Sequence, residues 1–231
     1  MNKNRDRVDI RIFIQARMSS SRFPGKVLAP FRGQPIVANL VRSVQTVIPR
    51  DRLVVATSTE PSDDPLAVYL ESLDVPVFRG SLDDVFGRFQ ACLQAFPCQK
   101  FVRICADSPL LNADLLAIVI EKAKTTNADL VTNVFPRSFP VGQSMEAIDA
   151  RTFANLDRDS FSPEEREHLT AFYYRHPQAF TIVNISSTTP KLAGTRHAVD
   201  TLEDLRRLEH LPPIACRLTA DGTVEFTIRE G

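Results

Sequence analysis

An apolar run, IRIFI at residues 10–14, leads directly into QARMSSSRFPGK at residues 15–26. The run has the branched and aromatic composition of a buried strand, whereas the residues after it are small, polar and basic. A loop that follows a strand in an open α/β sheet lies in the crevice where ligands usually bind. The two stretches together predict a strand that ends in a ligand-binding loop.

The side chains of this loop favour a polyphosphate ligand. Arg17, Arg22 and Lys26 supply three cations, the serines at 19–21 supply hydroxyl donors, and Gly25 lets the backbone come close to a ligand. The alternative is an ordinary surface turn, because Pro-Gly after a serine run is common in turns. Neither G-x-x-x-x-G-K-[ST] nor G-x-G-x-x-G can be written through the loop, so it differs from the usual phosphate-binding signatures.

The composition is that of an ordinary globular domain. The chain has 231 residues, 43% of them hydrophobic, which is enough for one large domain with a sizeable core. Basic and acidic residues number 28 each, so the chain lacks the global positive charge that non-specific nucleic-acid binding needs, and we expect no nucleic-acid partner. No run approaches the roughly 20 apolar residues of a membrane span, so we expect a cytoplasmic protein with no membrane partner.

Apolar runs and helical periodicity alternate from the first strand to about residue 134. Further strands are predicted over 53–58, 75–78, 101–106 and 128–134, and helices over 34–47, 60–73, 82–96 and 113–124. This alternation is typical of βαβ units, so it predicts an α/β fold with a parallel sheet.

The alternation weakens in the rest of the chain. We expect a loop over 135–144, a strand around 145–148, helices over 149–158 and after a capping signal at 162–165, and a strand over 179–185. Glu146 has apolar neighbours, which favours an exposed carboxylate on the free face of an edge strand. The C-terminal segment 212–231 predicts a terminal hairpin or an added edge strand around an Asp-Gly turn.

One acid stands out at the end of a predicted strand. Asp107 interrupts the apolar pattern of residues 101–106, and Ser108-Pro109 then turns the backbone away from the sheet. Such an aspartate either caps a turn or binds a metal. A triphosphate bound with Mg²⁺ needs one or two protein carboxylates, because Mg²⁺ keeps several waters and shares phosphate oxygens. This need favours a metal-binding role for Asp107.

Three separate segments resemble one family. Residues 15–28 are similar to the Q-A-R-M-x-S-x-R-L-P-G-K-V-L run of the spore-coat polysaccharide protein F group of cytidylyltransferases, with Phe23 in place of Leu. FVRICADSPLL at 101–111 resembles the R-x-x-A/G-D-x-P-L element, and VDTLEDL at 199–205 resembles V-D-T-x-E-D-L. The enzymes that make CMP-ketodeoxyoctonate and CMP-acylneuraminate are related to this group. The similarity extends from Arg11 to about Leu205.

The resemblance implies a fold and a reaction. The implied fold is a Rossmann-like, glycosyltransferase-A-like nucleotidyltransferase, a three-layer α/β sandwich around a mixed, mostly parallel sheet. It would form one domain over 1–231 with an acceptor-side insertion at about 135–195. The implied reaction couples CMP from CTP to an acidic sugar or similar anionic acceptor, with Mg²⁺ and release of pyrophosphate, for surface polysaccharide synthesis by a homodimer. An enzyme that uses another nucleoside triphosphate and a non-catalytic nucleotide-sugar-binding subunit are the alternatives.

The resemblance also implies the residues of the site. It assigns catalysis to Arg17, Lys26 and Asp107, and metal binding to Asp107 and Asp200. The implied nucleotide contacts are Ala16, Arg17, Ser20, Arg22, Lys26, Arg79 and Ser81. The implied acceptor contacts are Glu146, Arg166 and His168.

Several of these residues also suit a purely structural role. Arg79 and Ser81 are also typical of a turn before a helix, and Asp200 of a helix start. Arg166 and His168 are also typical of a solvated charged face. Arg88 is expected to form an i, i+4 pair with Asp84.

Overall fold

The apolar run at residues 10–14 forms the centre of strand β1, which pairs in parallel with a strand on each side. The computed structural model describes residues 8–212 and 214–228 of the chain. The strands are β1 (Val8–Gln15), β2 (Pro30–Phe31), β3 (Gln34–Pro35), β4 (Leu53–Ser58), β5 (Val77–Gly80), β6 (Cys98–Cys105), β7 (Leu130–Thr132), β8 (Glu146–Asp149), β9 (Ile182–Asn184), β10 (Ile214–Leu218) and β11 (Val224–Ile228). The α-helices are α1 (Ile36–Gln45), α2 (Asp64–Glu71), α3 (Val85–Ala95), α4 (Ala113–Thr125), α5 (Ala150–Ala154), α6 (Pro163–Glu167), α7 (Ala171–Arg175) and α8 (Leu202–Glu209).

Seven of these strands form one sheet in the order β5-β4-β1-β6-β8-β7-β9. All of its neighbouring pairs are parallel except the two that involve β8, which is antiparallel to both β6 and β7. The sheet is therefore mixed and mostly parallel, as the family resemblance implied. The predicted helices up to residue 125 and the strands before β8 are also present; β4 has the predicted bounds, and the others have ends that differ by up to a few residues.

Side chains of the sheet alternate between two cores, one on each face. Ile12 and Ile14 of β1 pack on the face covered by α1, α2 and α4, whereas Phe13 packs on the face covered by α3, α5 and α7. Phe13 stacks on Phe101 of β6 with ring centroids 5.0 Å apart. Two covered faces leave the carboxyl ends of the parallel strands as the open edge of the sheet.

The expectation of an edge position for Glu146 is wrong. Strand β8 lies between β6 and β7 in the sheet interior, and Glu146 is 3% exposed. The reason is topological, because the chain reverses after β7 and inserts β8 next to β6. Local sequence does not encode this insertion.

The second half contains shorter helices than the sequence predicted. The capping box formed by Ser162 and Glu165 is present, but the helix it starts ends at Glu167, and α7 starts only at Ala171. The interruption leaves His168 at the end of α6.

The C-terminal hairpin prediction is confirmed within the described residues. Strands β10 and β11 pair with each other and not with the large sheet, so the edge-strand alternative is wrong. Phe226 of β11 packs on Phe139 in the core. Positions 213 and 229–231 of the predicted segment lie outside the described residues.

Among the described residues, no helix has both the length and the apolar character that spanning a membrane would require.

Candidate active site

The loop after β1 is closed by a tight turn at Gly25. The Gly25 amide donates to the carbonyl of Met18 at 2.8 Å, and the residue has a φ of +74°. This left-handed conformation strains any residue with a Cβ atom, so glycine is needed for the turn itself. The turn leads into the short 3-10 helix Lys26–Leu28, so it positions Lys26, the first residue of that helix.

A buried aspartate that the sequence analysis did not single out anchors the same loop. Asp63 is fully buried, and its carboxylate accepts hydrogen bonds from the Met18 amide (2.6 Å), the Thr57 hydroxyl (2.9 Å) and the Ser58 amide (3.0 Å). Burial acts to raise the pKa of Asp63, but the hydrogen bonds from Ser58, Met18 and Thr57 lower it overall. The signal available in the sequence was an acid shortly after the Thr-Ser end of β4, a spacing that suits local side-chain bonds to backbone amides.

Lys26 lies between the two predicted metal-binding acids. Its ammonium group donates to Asp107 Oδ2 at 2.9 Å, to Asp200 Oδ1 at 3.1 Å and to the carbonyl of Val199 at 2.7 Å. The Lys26 side chain is only 12% exposed. Asp107 and Asp200 follow Lys26 by 81 and 174 positions in the sequence. Three distant segments of the chain therefore meet at one charged group.

The backbone holds these two acids in register. The Val199 amide donates to the carbonyl of Asp107 at 2.8 Å, which ties the end of β6 to the segment before α8. Thr201 and Asp204 form a capping box at the start of α8, and the Asp204 carboxylate also accepts from the Asp200 amide at 3.1 Å. Asp200 is therefore fixed immediately before a helix N-terminus, as its sequence context predicted.

Two arginines complete the charge balance around Asp200. Arg22 and Arg196 contact Asp200 Oδ2 at 3.0 and 2.6 Å. The Arg22 side chain is 63% exposed, whereas Lys26 is mostly covered. The cluster thus combines one mostly covered cation with two exposed cations at its rim.

A cavity of about 380 Å³ opens above this cluster at the carboxyl edge of the sheet. Its lining includes eight of the predicted site residues, which are Ala16, Arg17, Ser20, Arg22, Lys26, Asp107, His168 and Asp200. Larger cavities of about 440, 510 and 550 Å³ lie elsewhere, and of the predicted site residues Arg166 alone lines one of them, the cavity of about 440 Å³. The loop, both acids and one predicted acceptor contact therefore share one cleft.

Arg79 and Ser81 do not line this cavity. The Arg79 guanidinium donates to the carbonyl of Ser58 at 2.8 Å and to Asp64 at 2.6 Å. The Ser81 hydroxyl accepts from the Asp84 amide at 3.1 Å. These bonds brace the start of α2 and of α3.

Glu146 is also absent from the cavity lining, because its carboxylate is saturated inside the protein. It accepts from Arg103 at 2.9 Å, from the Thr170 hydroxyl at 2.6 Å and from the Tyr174 hydroxyl at 2.7 Å. Burial, and then the charge of Glu146, raise the pKa of Tyr174, so the phenol stays protonated and donates. Glu146 therefore links α7 to β6 in this structure.

The buried pair reaches the cavity through one further residue. Arg103 donates to the Gln15 side-chain oxygen through Nε (3.1 Å) and Nη2 (2.8 Å). Because a guanidinium group only donates, the Gln15 oxygen is fixed as its acceptor, and Gln15 itself lines the cavity. Sequence reasoning quoted both residues within motifs but assigned neither a role.

Arg166 lies at a different cavity, of about 440 Å³, which Asp83 and Asp84 also line. The expected pair between Arg88 and Asp84 is wrong. Asp84 pairs with Arg158 at 2.8 Å and caps α3, whereas Arg88 is buried and donates to the carbonyls of Ser81 and Leu82. Burial, and then the charge of Arg17, lower the pKa of Arg88 to about 10.

Comparison with known proteins assigns a family to this arrangement. The model of the cytidylyltransferase family matches residues 11–222. The spore coat polysaccharide biosynthesis protein SpsF of Bacillus subtilis (strain 168) is 29% identical over 209 residues, which cover 88% of this chain and 86% of that protein.

Solved structures agree with the fold. A cytidylyltransferase from Leptospira borgpetersenii serovar Hardjo-bovis (strain JB197) superposes with a TM-score of 0.82 at 27% identity, covering 87% of this chain and 85% of that one. A CMP:2-keto-3-deoxy-manno-octonic acid synthetase complexed with CTP superposes with a TM-score of 0.67 at 15% identity, covering 87% and 97%. The nucleotidyltransferase-type α/β fold expected from the sequence is confirmed. The match along residues 11–222 shows that this chain belongs to the cytidylyltransferase family and is a nucleotidyltransferase enzyme.

Proposed function

We propose that this enzyme transfers CMP from CTP to an acidic sugar or a similar anionic acceptor, with release of pyrophosphate. The observation that carries the proposal is that carboxylate oxygens of both Asp107 and Asp200 lie within 3.1 Å of the Lys26 ammonium nitrogen, in a cleft that Arg17 and Arg22 also line. Positive charge suits the phosphates, and paired acids suit the cation that accompanies them. The SpsF name supports a role in polysaccharide synthesis.

The residues of the cleft divide into two groups by charge. Arg17, Arg22 and Lys26 would bind the β and γ phosphates and stabilise the charge of the leaving pyrophosphate. An acceptor oxygen would form a bond to the α-phosphorus as the bond from that phosphorus to the β-phosphate oxygen breaks. This chemistry depends mainly on alignment and charge neutralisation, so no nucleophilic side chain is needed.

Asp107 and Asp200 fit a divalent cation. Two carboxylate oxygens from separate segments lie within 3.1 Å of a single cationic nitrogen, so they already converge on one small positive centre. No group of three or more His, Cys, Asp and Glu side chains suited to a metal occurs within residues 8–212 and 214–228. Two carboxylates with phosphate and water ligands match the preference of Mg²⁺, which would stabilise phosphate charge when bound.

We assign the acceptor side to the segment at about 135–195. His168 of this segment lines the cavity, and Arg103, which is paired with Glu146, holds the side-chain oxygen of Gln15, a second lining residue. Glu146 would therefore act on the acceptor indirectly. Arg79, Ser81 and Arg166 stay candidates for ligand contacts that need a rearrangement of the bonds described above.

Selectivity among nucleotides tests the CTP assignment. Thermal unfolding with Mg²⁺ and each of CTP, UTP, GTP and ATP should show the largest stabilisation with CTP, because a ligand that binds the folded state stabilises it by mass action. A larger shift with another nucleotide would reassign the donor. A screen of acidic sugars, including 3-deoxy-manno-octulosonate, for pyrophosphate release from CTP would identify the acceptor.

A further inference from the structure

All three N–H bonds of the Lys26 ammonium are used by groups that surround the proposed cation position. Its acceptors are Asp107 Oδ2 at 2.9 Å, Asp200 Oδ1 at 3.1 Å and the Val199 carbonyl at 2.7 Å. Since the side chain is 12% exposed, water screens these contacts only weakly. The ammonium group thus bridges the two carboxylates in the way that a metal ion would.

The other carboxylate oxygens have partners as well. Asp200 Oδ2 contacts Arg22 and Arg196, and Asp107 Oδ1 accepts from the Ser108 hydroxyl at 3.2 Å. Three cations therefore neutralise two acids. A divalent cation that approached alone would meet net positive charge and an occupied bridging position, both of which oppose its binding.

A polyphosphate changes this balance. Lys26 has a flexible four-carbon stem, and Arg22 is mostly exposed, so both can turn toward phosphate oxygens in the adjoining loop. Their departure would free oxygens on Asp107 and Asp200. The freed oxygens and the phosphate oxygens together make a suitable set of ligands for a hard divalent cation.

We propose that Lys26 blocks the metal site until a nucleotide binds, so that the metal and CTP bind cooperatively. Lys26 exchanges one set of oxygens for another: the acids in the absence of nucleotide, and the phosphates in its presence. The naming of CTP rests on the proposed function, whereas the block by Lys26 rests on the contacts above. Thermodynamic linkage requires that each ligand raises the affinity for the other by the same factor.

Manganese binding to the full chain without nucleotide tests the block. Titration of Mn²⁺, followed by calorimetry and by electron paramagnetic resonance of the free ion, should give an affinity for Lys26→Met roughly tenfold or more above that of the unchanged protein. Lys124→Met on α4 is the matched control, because Lys124 is exposed and lies outside the cavity lining, and it should bind Mn²⁺ like the unchanged protein. Adding Asp107→Asn to Lys26→Met should abolish the gain.

The same titration with CTP tests the coupling. CTP should raise the Mn²⁺ affinity of the unchanged protein roughly tenfold or more, and that of Lys26→Met much less. Lys26→Gln, which keeps a polar group between the acids, replaces the Met variant if thermal unfolding shows that the latter is not folded. Equal Mn²⁺ affinity in the unchanged protein and the Lys26 variant without nucleotide would overturn the proposal. If Lys26→Met binds Mn²⁺ more tightly than the unchanged protein but CTP leaves the Mn²⁺ affinity of the unchanged protein the same, the block by Lys26 stands. That result would count against CTP as the donor nucleotide.

Discussion

At the scale of single residues, the pair formed by Arg103 and Glu146 shows how a charge can be buried at low cost. The Glu146 side chain is 4% exposed, and three donors satisfy its carboxylate. Arg103 in turn bonds to both Glu146 and Gln15. Buried ion pairs of this kind are tolerated because both charged groups are paired with each other and also hydrogen-bonded to further side chains.

Glu146→Gln should destabilise the fold by about 3–5 kcal/mol, because it leaves the Arg103 guanidinium buried without a counter-charge. Denaturant unfolding measures this change. The matched control is Glu225→Gln, which removes an exposed partner of Arg217 and should cost about 1 kcal/mol or less. Equal losses in the two variants would show that burial of the Arg103 pair has no special energetic weight.

Several site residues could be identified from the sequence, but the hydrogen-bond partners of others could not. Lys26, Asp107 and Asp200 were identifiable because each lies in a stretch that resembles a motif of the family. The environment of Glu146 was not, since its partners Arg103 and Thr170 come from β6 and from the start of α7. The hydrogen bond from the Met18 amide to Asp63 joins residues 45 positions apart, so it could not be predicted from the sequence either.

At the scale of elements, the loop after β1 depends on the 3-10 helix Pro61–Asp63 that precedes α2. Asp63→Asn replaces an acceptor-only carboxylate by an amide that cannot accept all four of its hydrogen bonds, from the Met18 amide, the Thr57 hydroxyl and the Ser58 amide and hydroxyl, with equal strength. We expect the variant to lose about 1–3 kcal/mol of stability and to bind CTP more weakly, because the loop is less well ordered. Asp159→Asn, a change at an exposed position outside the cavity lining, is the control.

Calorimetry of CTP binding and denaturant unfolding would measure both effects. Unchanged CTP affinity in Asp63→Asn would mean that the loop keeps its shape without this anchor. Since the pKa of Asp63 is lowered in the folded state, its stabilising contribution should be present near neutral pH and be lost as the pH falls below about 4.

The segment that carries Asp200 contains a buried histidine whose titration is predictable. Burial, and then the charge of Arg207, lower the pKa of His197 from 6.5 to about 4. Between these values the unfolded chain binds a proton that the folded chain does not, so stability should fall as the pH falls from 6.5 toward 4. The expected loss at pH 4.5 is on the order of 2 kcal/mol.

Unfolding free energies at pH 7.5 and 4.5 check this expectation. The loss between these two conditions should be smaller in His197→Phe than in the unchanged protein by that amount. His210→Asn, at an exposed position after α8, controls for a general effect of removing a histidine. The same pH dependence in all three proteins would contradict the assignment to His197.

Elements of the first half were predictable because each has its own periodicity. Strand β4 is a continuous apolar run, and helix α1 carries a regular buried face. The helices α5, α6 and α7 have five residues each, too few for a periodic signal to form. Packing takes the place of periodicity in α5 and α7, where Phe153 contacts Phe86 and Phe172 stacks on Phe161.

At the scale of the whole molecule, the order of the strands determines where the chemistry lies. Strands β4, β1 and β6 are parallel neighbours, so the loop after β1 and the acid after β6 emerge at the same edge. The bond between Asp107 and Val199 brings the third segment to that edge. The α/β class followed from the alternation of elements, but the insertion of β8 between β6 and β7 depends on contacts that only the folded chain has.

The proposed mechanism requires that Lys26, Asp107 and Asp200 act together on a nucleoside triphosphate. The most direct test is the rate of pyrophosphate release from CTP, with Mg²⁺ and the acceptor found by screening, in Lys26→Ala and Asp107→Asn. Lys124→Ala and Asp159→Asn are matched changes at exposed positions. Both site variants should lose roughly tenfold or more in turnover while remaining folded, and both controls should keep the full rate. Unchanged turnover in the site variants would contradict the proposed role of Lys26 and Asp107.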